Sequence, residues 1–291
     1  MVDQRSRFLF SEQNIRGVIV DLEHSYQELL AHTDHSVLIQ ELLGEASVAS
    51  CLLAATIKSK GSLSLQVQAN ALLSLLVVQV DAERTFRGMA RIHSEAENIE
   101  QAQASDLYGE DARLVITLDP GEGKKRYQGI TEISDSSLLK SVENYLERSE
   151  QLPTRLWLAA EPGRRAQGLL LQQLPDADLD YWQHLMILTE TLQDEELLEL
   201  SSTEILTRLY HAEDIQVFPA DSLSHRCSCT EQRVLAMILQ LGVDEVRDIM
   251  TEQGKLEVTC QYCSRPYLFD SVDVEGLFKT GEKQQLDDKI H

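Results

Sequence analysis

His225-Arg226-Cys227-Ser228-Cys229-Thr230 and Val258-Thr259-Cys260-Gln261-Tyr262-Cys263-Ser264 are the two stretches that decide how the end of this 291-residue chain folds. They form a C-x-C pair and a C-x-x-C pair thirty residues apart, and they hold four of the chain's five cysteines. Core packing scatters cysteine, so this grouping calls for a chemical reason. Two close thiol pairs that a fold can bring together make a tetrahedral four-sulfur site, the usual home of structural zinc. Such a site is closed and leaves no position for water or substrate, which argues against a hydrolytic metal. The fifth thiol, Cys51, lies in an apolar stretch and reads as a small buried hydrophobe.

Around the four thiols, residues 226–291 read as a small module. Glu231 to Leu241 and Asp244 to Glu252 are predicted as helices stopped by Gly242 and Gly254. Leu256 to Thr259 and Tyr267 to Phe269 are predicted strands flanking the C-x-x-C turn. A piece this short has little core of its own and is expected to need a metal or a disulfide. Before it, residues 176–225 read as an acidic helical linker, with twelve Asp or Glu against one Arg. Asp178 to Gln193 places Tyr181, Trp182, Leu185, Met186, Leu188 and Leu192 on one helical face, and Ser202 to His211 is a second amphipathic helix. Acid self-repulsion is expected to leave these helices only marginally docked.

Residues 1–175 read as an α+β domain with a mixed sheet. Ser36 to Lys60 has the spacing of a helix, and Leu63 to Gln68 alternates as a half-buried strand. Arg84 to His93, Ala112 to Leu118 and Arg126 to Ile133 are further strands, the last two joined through Asp119-Pro-Gly-Glu-Gly123. Ser136 to Ser149 is a predicted helix, and Arg155 to Ala160 with Gly168 to Leu174 a strand pair around Pro162-Gly163. Strands and helices do not alternate regularly, so a doubly wound parallel sheet is not expected.

Composition narrows the function classes. A hydrophobic share of 43 % supports a packed core. The net charge is −22, and no basic stripe that would release phosphate counterions is visible, so no nucleic-acid partner is expected. No run of eighteen apolar residues predicts a membrane span, and the N-terminal MVDQRSRFLFSEQNIRG carries no secretory h-region. A cytoplasmic, reducing location follows as the expectation, where clustered cysteines are metal ligands or redox sensors. No Gly-rich phosphate loop, H-E-x-x-H or G-x-S-x-G is present, and no enzymatic activity is expected.

Three chemistries remain open for the thiols. The first is a permanent structural zinc. The second is a switch, in which oxidant converts the thiolates to disulfides through sulfenic intermediates. The spacings favour pairing within each motif, Cys227 with Cys229 and Cys260 with Cys263; the C-x-C ring is small and strained, hence easily reduced. The third is a catalytic C-x-x-C, which usually opens a helix; here a predicted strand follows.

On these residues the chain resembles the bacterial heat-shock protein 33 family of redox-switched holdase chaperones. The thiol quartet is that family's hallmark. Arg126-Tyr-Gln-Gly-Ile130, Tyr145-Leu-Glu-Arg-Ser-Glu-Gln-Leu-Pro-Thr154, Gly168-Leu-Leu-Leu-Gln-Gln-Leu-Pro175 and Arg208-Leu-Tyr-His211 match in order along nearly the whole length. Two places depart from it: Ala69-Asn-Ala-Leu72 stands where the family has a Gly-Asp-Gly-Pro-like turn, and Arg164-Arg165-Ala166-Gln167 where it has small residues. The resemblance implies one zinc ion in a quiet reduced monomer. Oxidation releases the ion, unfolds the module and then the linker, and uncovers apolar surface for unfolding client proteins without ATP. It also implies a dimer when oxidised and hand-over of clients to the ATP-driven seventy-kilodalton heat-shock system. The other class kept open by the residues is a zinc-ribbon regulatory or ribosome-associated protein with a permanent zinc.

Overall fold

Alternating burial sets the strands of the first half of the molecule: Leu63, Leu65 and Val67 point inward between polar neighbours. The computed structural model describes residues 3–57, 61–93, 102–121, 124–133 and 137–278. The chain divides into two units, with the break in sequence between Arg226 and Cys227. In the first unit the order is β1 (Gln4–Phe10), β2 (Ile15–Leu22), α1 (His24–Leu30), α2 (Val37–Thr56), β3 (Ser62–Gln68), β4 (Leu73–Val80), β5 (Thr85–Ile92), β6 (Arg113–Asp119), β7 (Tyr127–Glu132) and α3 (Leu138–Tyr145). Then come β8 (Thr154–Glu161), β9 (Arg165–Gln173), α4 (Leu179–Thr189), α5 (Asp194–Glu199), α6 (Ser202–Tyr210), β10 (Ile215–Val217), β11 (Asp221–Ser222) and β12 (Ser224–His225).

Two sheets result. One runs β10-β1-β2-β9-β8, with β11 also on β1; the other runs β12-β5-β4-β3-β6-β7. Pairing is antiparallel except for β12, which lies parallel to β5 and makes the second sheet mixed. The fold is α+β, as predicted. The helix expected over 36–60 spans Val37–Thr56, its last expected residues lying outside those described. Ser136 and Gly123 of two other predicted elements also lie outside them. The predicted helix after Ser136 is α-helical over Leu138–Tyr145 and then widens into a π-helical turn, Leu146–Glu150. β1, β2, β4, α1 and α5 had no counterpart in the sequence reading. β4, Leu-Ser-Leu-Leu-Val-Val-Gln-Val, fails the alternation test because much of both its faces is covered.

α2 lies between the two sheets and packs on β8, β9 and β2 below and on β3, β4 and β5 above. It is therefore apolar nearly all round, the signature of a core helix. It is also long and apolar enough to cross a membrane, but that surface is buried inside the fold. Close approach to β9 requires Gly168, where a Cβ would lie 2.6 Å from Val48 and 2.7 Å from the Trp157 carbonyl oxygen. Cys51 is fully buried in α2, and burial pushes its thiol up to about 12, as suits an inert core position.

One acid on α2 makes stability pH-dependent. Burial pushes Glu45 up to about 7, with Glu41 and Asp194 of α5 adding like charge. The folded state thus holds this proton more tightly than the unfolded chain. The benefit is complete below the ordinary carboxylate range and drains away as pH rises through about 7, a loss of about 3 kcal/mol at one pH unit per ~1.4 kcal/mol. Glu45→Gln is expected to match the parent protein near pH 5 and to exceed its urea midpoint near pH 8. Identical midpoints at both pH values would show that Glu45 stays solvated.

Candidate metal centre and docked helices

The second unit is built around two hairpin-like corners. α7 (Glu231–Leu241) and α8 (Val243–Gln253) are separated by Gly242 at φ 94°, and α8 ends at Gly254 at φ 72°, both the left-handed geometry that glycine accepts without strain. β13 (Leu256–Thr259) and β14 (Pro266–Phe269) pair antiparallel across the C-x-x-C loop, and a last helix covers 271–278. Among the described residues the buried apolar core is six: Ile238, Val246, Leu256, Tyr267, Phe269 and Val274.

The four sulfurs converge. Cys227 Sγ lies 3.7 Å from Cys260 Sγ, Cys229 Sγ lies 3.4 Å from Cys263 Sγ, and all four fall within 4.8 Å of one another. A tetrahedron with metal–sulfur bonds of about 2.3 Å has edges of about 3.8 Å, so the cage fits a zinc-sized ion. Both motifs turn as metal-binding knuckles do. The Cys229 amide faces Cys227 Sγ, and the Arg265 amide faces Cys263 Sγ. Ser264 takes φ 53°, its N–H donates to the Cys260 carbonyl at 2.8 Å, and the Cys260 N–H donates to the Arg265 carbonyl at 3.0 Å.

Electrostatics favour a cation in this cage. Burial pushes Cys263 up to about 12 and raises Cys227 as well. Burial opposes ionisation of Cys229 too, but the Tyr267 hydroxyl and the adjacent thiols outweigh it and hold that group at about 7. Four neighbouring thiolates repel unless a metal neutralises them, and a metal deprotonates them outright. β14 follows the C-x-x-C, so no helix N-terminus activates either thiol.

Sequence reading missed a supporting residue here. Arg233, in the first turn of α7, donates to the Ser228 carbonyl at 2.6 Å and to Ser228 Oγ at 2.8 Å, fixing the Cys-Ser-Cys backbone. Outer contacts of this kind set ligand orientation. Arg233→Ala is expected to lower zinc affinity about tenfold in a competition titration against a chromophoric chelator; unchanged affinity would make the contact incidental.

In the first unit, the six residues of the predicted seam all lie against the outer face of the β10-β1-β2-β9-β8 sheet. Leu185 and Leu192 are buried; Tyr181, Trp182, Met186 and Leu188 are partly covered. They meet Phe8, Phe10, Ile15, Ile19, Leu169 and Leu171, with Ile205, Leu206, Leu209 and Tyr210 of α6 completing the layer. Residues 176–225 thus pack within the first unit. The acids of this stretch do more than repel. Asp178 caps α4, while Glu196 and Glu204 close capping boxes with Gln193 and Ser201. Glu213 accepts from the Tyr181 hydroxyl at 2.5 Å and meets His184 at 2.9 Å, and these bonds hold its carboxyl below the ordinary range.

Two further residues tie down this layer. Arg165, on β9, grips Asp21 of β2 with two bonds of 2.9 Å, both side chains being buried. Its remaining nitrogen donates to the Leu198 and Leu200 carbonyls at 3.3 and 3.1 Å, the C-terminal end of α5. The signal was the departure Arg164-Arg165-Ala166-Gln167 in an otherwise apolar strand. The other departure, Ala69–Leu72, is pinned by backbone bonds from Asn70 to Tyr108 and from Leu72 to Asp106.

Comparison with known proteins agrees with this architecture. The family profile described as Hsp33 protein matches residues 3–270. The 33 kDa chaperonin of Methylobacillus flagellatus is 40 % identical over 283 residues, covering 96 % of this chain and 95 % of that protein. That of Nitrosococcus oceani is 40 % identical over 291 residues, covering 99 % of each. The crystal structure of a 33 kDa chaperonin, a heat shock protein 33 homolog from Thermotoga maritima, superimposes with a TM-score of 0.83 at 19 % identity, covering 97 % of this chain and 99 % of that one, which speaks to the fold. With the profile spanning the thiol cage and both sheets, and relatives aligned end to end, this chain belongs to the Hsp33 protein family.

Proposed function

We propose that this protein is a redox-regulated, ATP-independent holdase chaperone whose Cys227, Cys229, Cys260 and Cys263 hold one zinc ion in the reduced state. The observation that carries the reading is the convergence of four sulfurs within 4.8 Å in a unit with a six-residue buried core. When bound, the ion supplies a cross-link between two motifs that stand far apart in sequence. The thiolates attack the oxidant: each pair gives two electrons to one peroxide, which takes two protons from water, forming one S–S bond and two waters. The resulting disulfides cannot ligate the ion, the 226–291 module unfolds, and the 176–225 linker follows. The seam around Leu185 and Leu192, with the sheet face beneath it, then becomes the surface for unfolding clients.

Pairing is proposed as Cys227 with Cys229 and Cys260 with Cys263. In the folded cage the cross-motif pairs Cys227–Cys260 and Cys229–Cys263 stand 3.7 and 3.4 Å apart, but once the module opens a two- or three-residue loop closes at far less entropic cost than one of over thirty. The protein acts in the cytoplasm as a binding protein rather than an enzyme, dimerises when oxidised, and passes clients to the ATP-driven seventy-kilodalton chaperone system when reductant returns. The test is zinc release and suppression of a client's thermal aggregation, measured before oxidant, after it, and after reductant. Protection only in the oxidised state, with zinc in solution, is the expected result; equal protection in both states would remove the switch.

A further inference from the structure

Arg5, Arg7 and Arg84 form a cationic cup in a chain whose net charge is −22. Arg5 and Arg7 lie two apart on β1 and so share one face. Together with Arg84 they converge on a single carboxylate: Asp221 lies 3.1 Å from Arg5, 3.6 Å from Arg7 and 3.8 Å from Arg84. Asp221 is their one ion-pair partner among the described residues, and with the Asp81 carboxylate that borders the same cavity the three guanidiniums still leave a surplus of one positive charge. Each guanidinium carries five N–H donors, most of them uncommitted here.

The same three arginines line a cavity of about 100 Å³ closed at its apolar side by Ile57, Leu63 and Leu118. Asp81 also borders it, but its carboxylate is taken by its own turn, accepting from the Glu83 and Thr85 amides at 2.9 Å and from Thr85 Oγ1 at 2.6 Å. That turn holds Arg84 at φ 65°, in the left-handed region where glycine or asparagine sits without strain. The hairpin therefore carries backbone strain at the position that delivers a guanidinium to the cavity mouth. Strain of this kind persists where the surroundings over-determine it, and it concentrates at binding sites.

We propose that this cup is a binding site for phosphate-type anions, orthophosphate and its linear polymers. The guanidiniums outnumber the neighbouring carboxylates, and the oxygens of a tetrahedral anion suit the fork geometry of several guanidiniums at once. Arg7 and Arg84 are about half exposed, so a polymer can leave the cup past them. The site lies within the first unit and does not depend on the redox reading.

Isothermal titration of the reduced full-length protein with orthophosphate and with tripolyphosphate at about 50 mM salt tests it. Saturable 1:1 binding that weakens severalfold at about 200 mM salt is expected. Tighter binding of tripolyphosphate assigns the site to polymers; equal binding assigns it to the single anion. Arg7→Gln with Arg84→Gln should weaken binding at least about tenfold. Asp221→Asn, which removes the internal competitor, should tighten it severalfold; thermal melts check that both variants fold. Unchanged affinity in the double variant, weaker binding in Asp221→Asn, or displacement of tripolyphosphate by a single-stranded oligonucleotide at equal phosphate concentration would overturn the proposal.

Discussion

Stripping the metal from the reduced protein with a strong chelator is expected to unfold residues 227–278 while strands β1 to β9 of the first unit stay intact. Among its described residues the second unit buries six apolar side chains, which is too little to stabilise a module of this size by itself. Zinc in small four-ligand modules supplies an apparent folding energy of about 10–16 kcal/mol. Removing it leaves four crowded thiols, with burial raising Cys263 and Cys227 and no cation to balance ionised sulfur. Hydrogen exchange read by mass spectrometry should show β13 and β14 losing all protection, while β2 and β9 keep theirs. Cys263→Ser should do the same without chelator, because three ligands hold the ion far less well than four. If the metal-free tail remains as protected and protease-resistant as the loaded one, the metal is an ornament and the switch reading loses its first step.

Arg165→Ala is expected to turn the reduced protein into a constitutive client binder. The side chain does two things at once: it neutralises the buried Asp21, and it satisfies the last carbonyls of α5. Burial already lifts the Asp21 carboxyl above its ordinary range, against the pull of Arg165. Without that pull the acid is left buried and uncompensated, which costs about 3–5 kcal/mol. The simplest relief is for α5 to lift away and admit water, taking α6 and α4 with it, since Glu196 of α5 pairs with Arg208 of α6 and Tyr210 of α6 shares a 2.6 Å hydrogen bond with Thr189 of α4. Exchange protection should drop across α4 to α6, and a thermally unfolding client should stay soluble without oxidant. Adding Asp21→Asn to the same chain should recover part of the docking. Arg164→Ala serves as control: its pair with Glu161 is solvent-exposed and worth little. A destabilised Arg165→Ala protein that still ignores clients would mean the docked helices do not cover the client surface.

The candidate site was largely legible from sequence because its chemistry is local. Two thiol pairs, each within four residues, announce ligands whatever the fold around them, and Gly242 and Gly254 mark the helix ends beside them. The same local logic found α4 and α6 from helical spacing and the hairpin at Pro162-Gly163 from its turn residues. β1 and β2 escaped because the periodicity of Phe8, Phe10, Ile15 and Ile19 becomes meaningful only once helices cover one face of their sheet and α2 the other. The acids at 196, 204 and 178 read as repulsion because charge counts do not reveal which carboxylates cap a helix.

What the sequence by itself determined is the donor set: four thiols in two short motifs can grip an ion only if the chain brings them together, and nothing else in the composition competes for that role. What only the tertiary structure decided is where long-range partners meet. Asp21 and Arg165 stand 144 residues apart, and Arg5 and Asp221 are separated by 216. No spacing rule links such residues, because their contact is set by strand register and by the desolvation that register imposes, and both arise only when the sheets close.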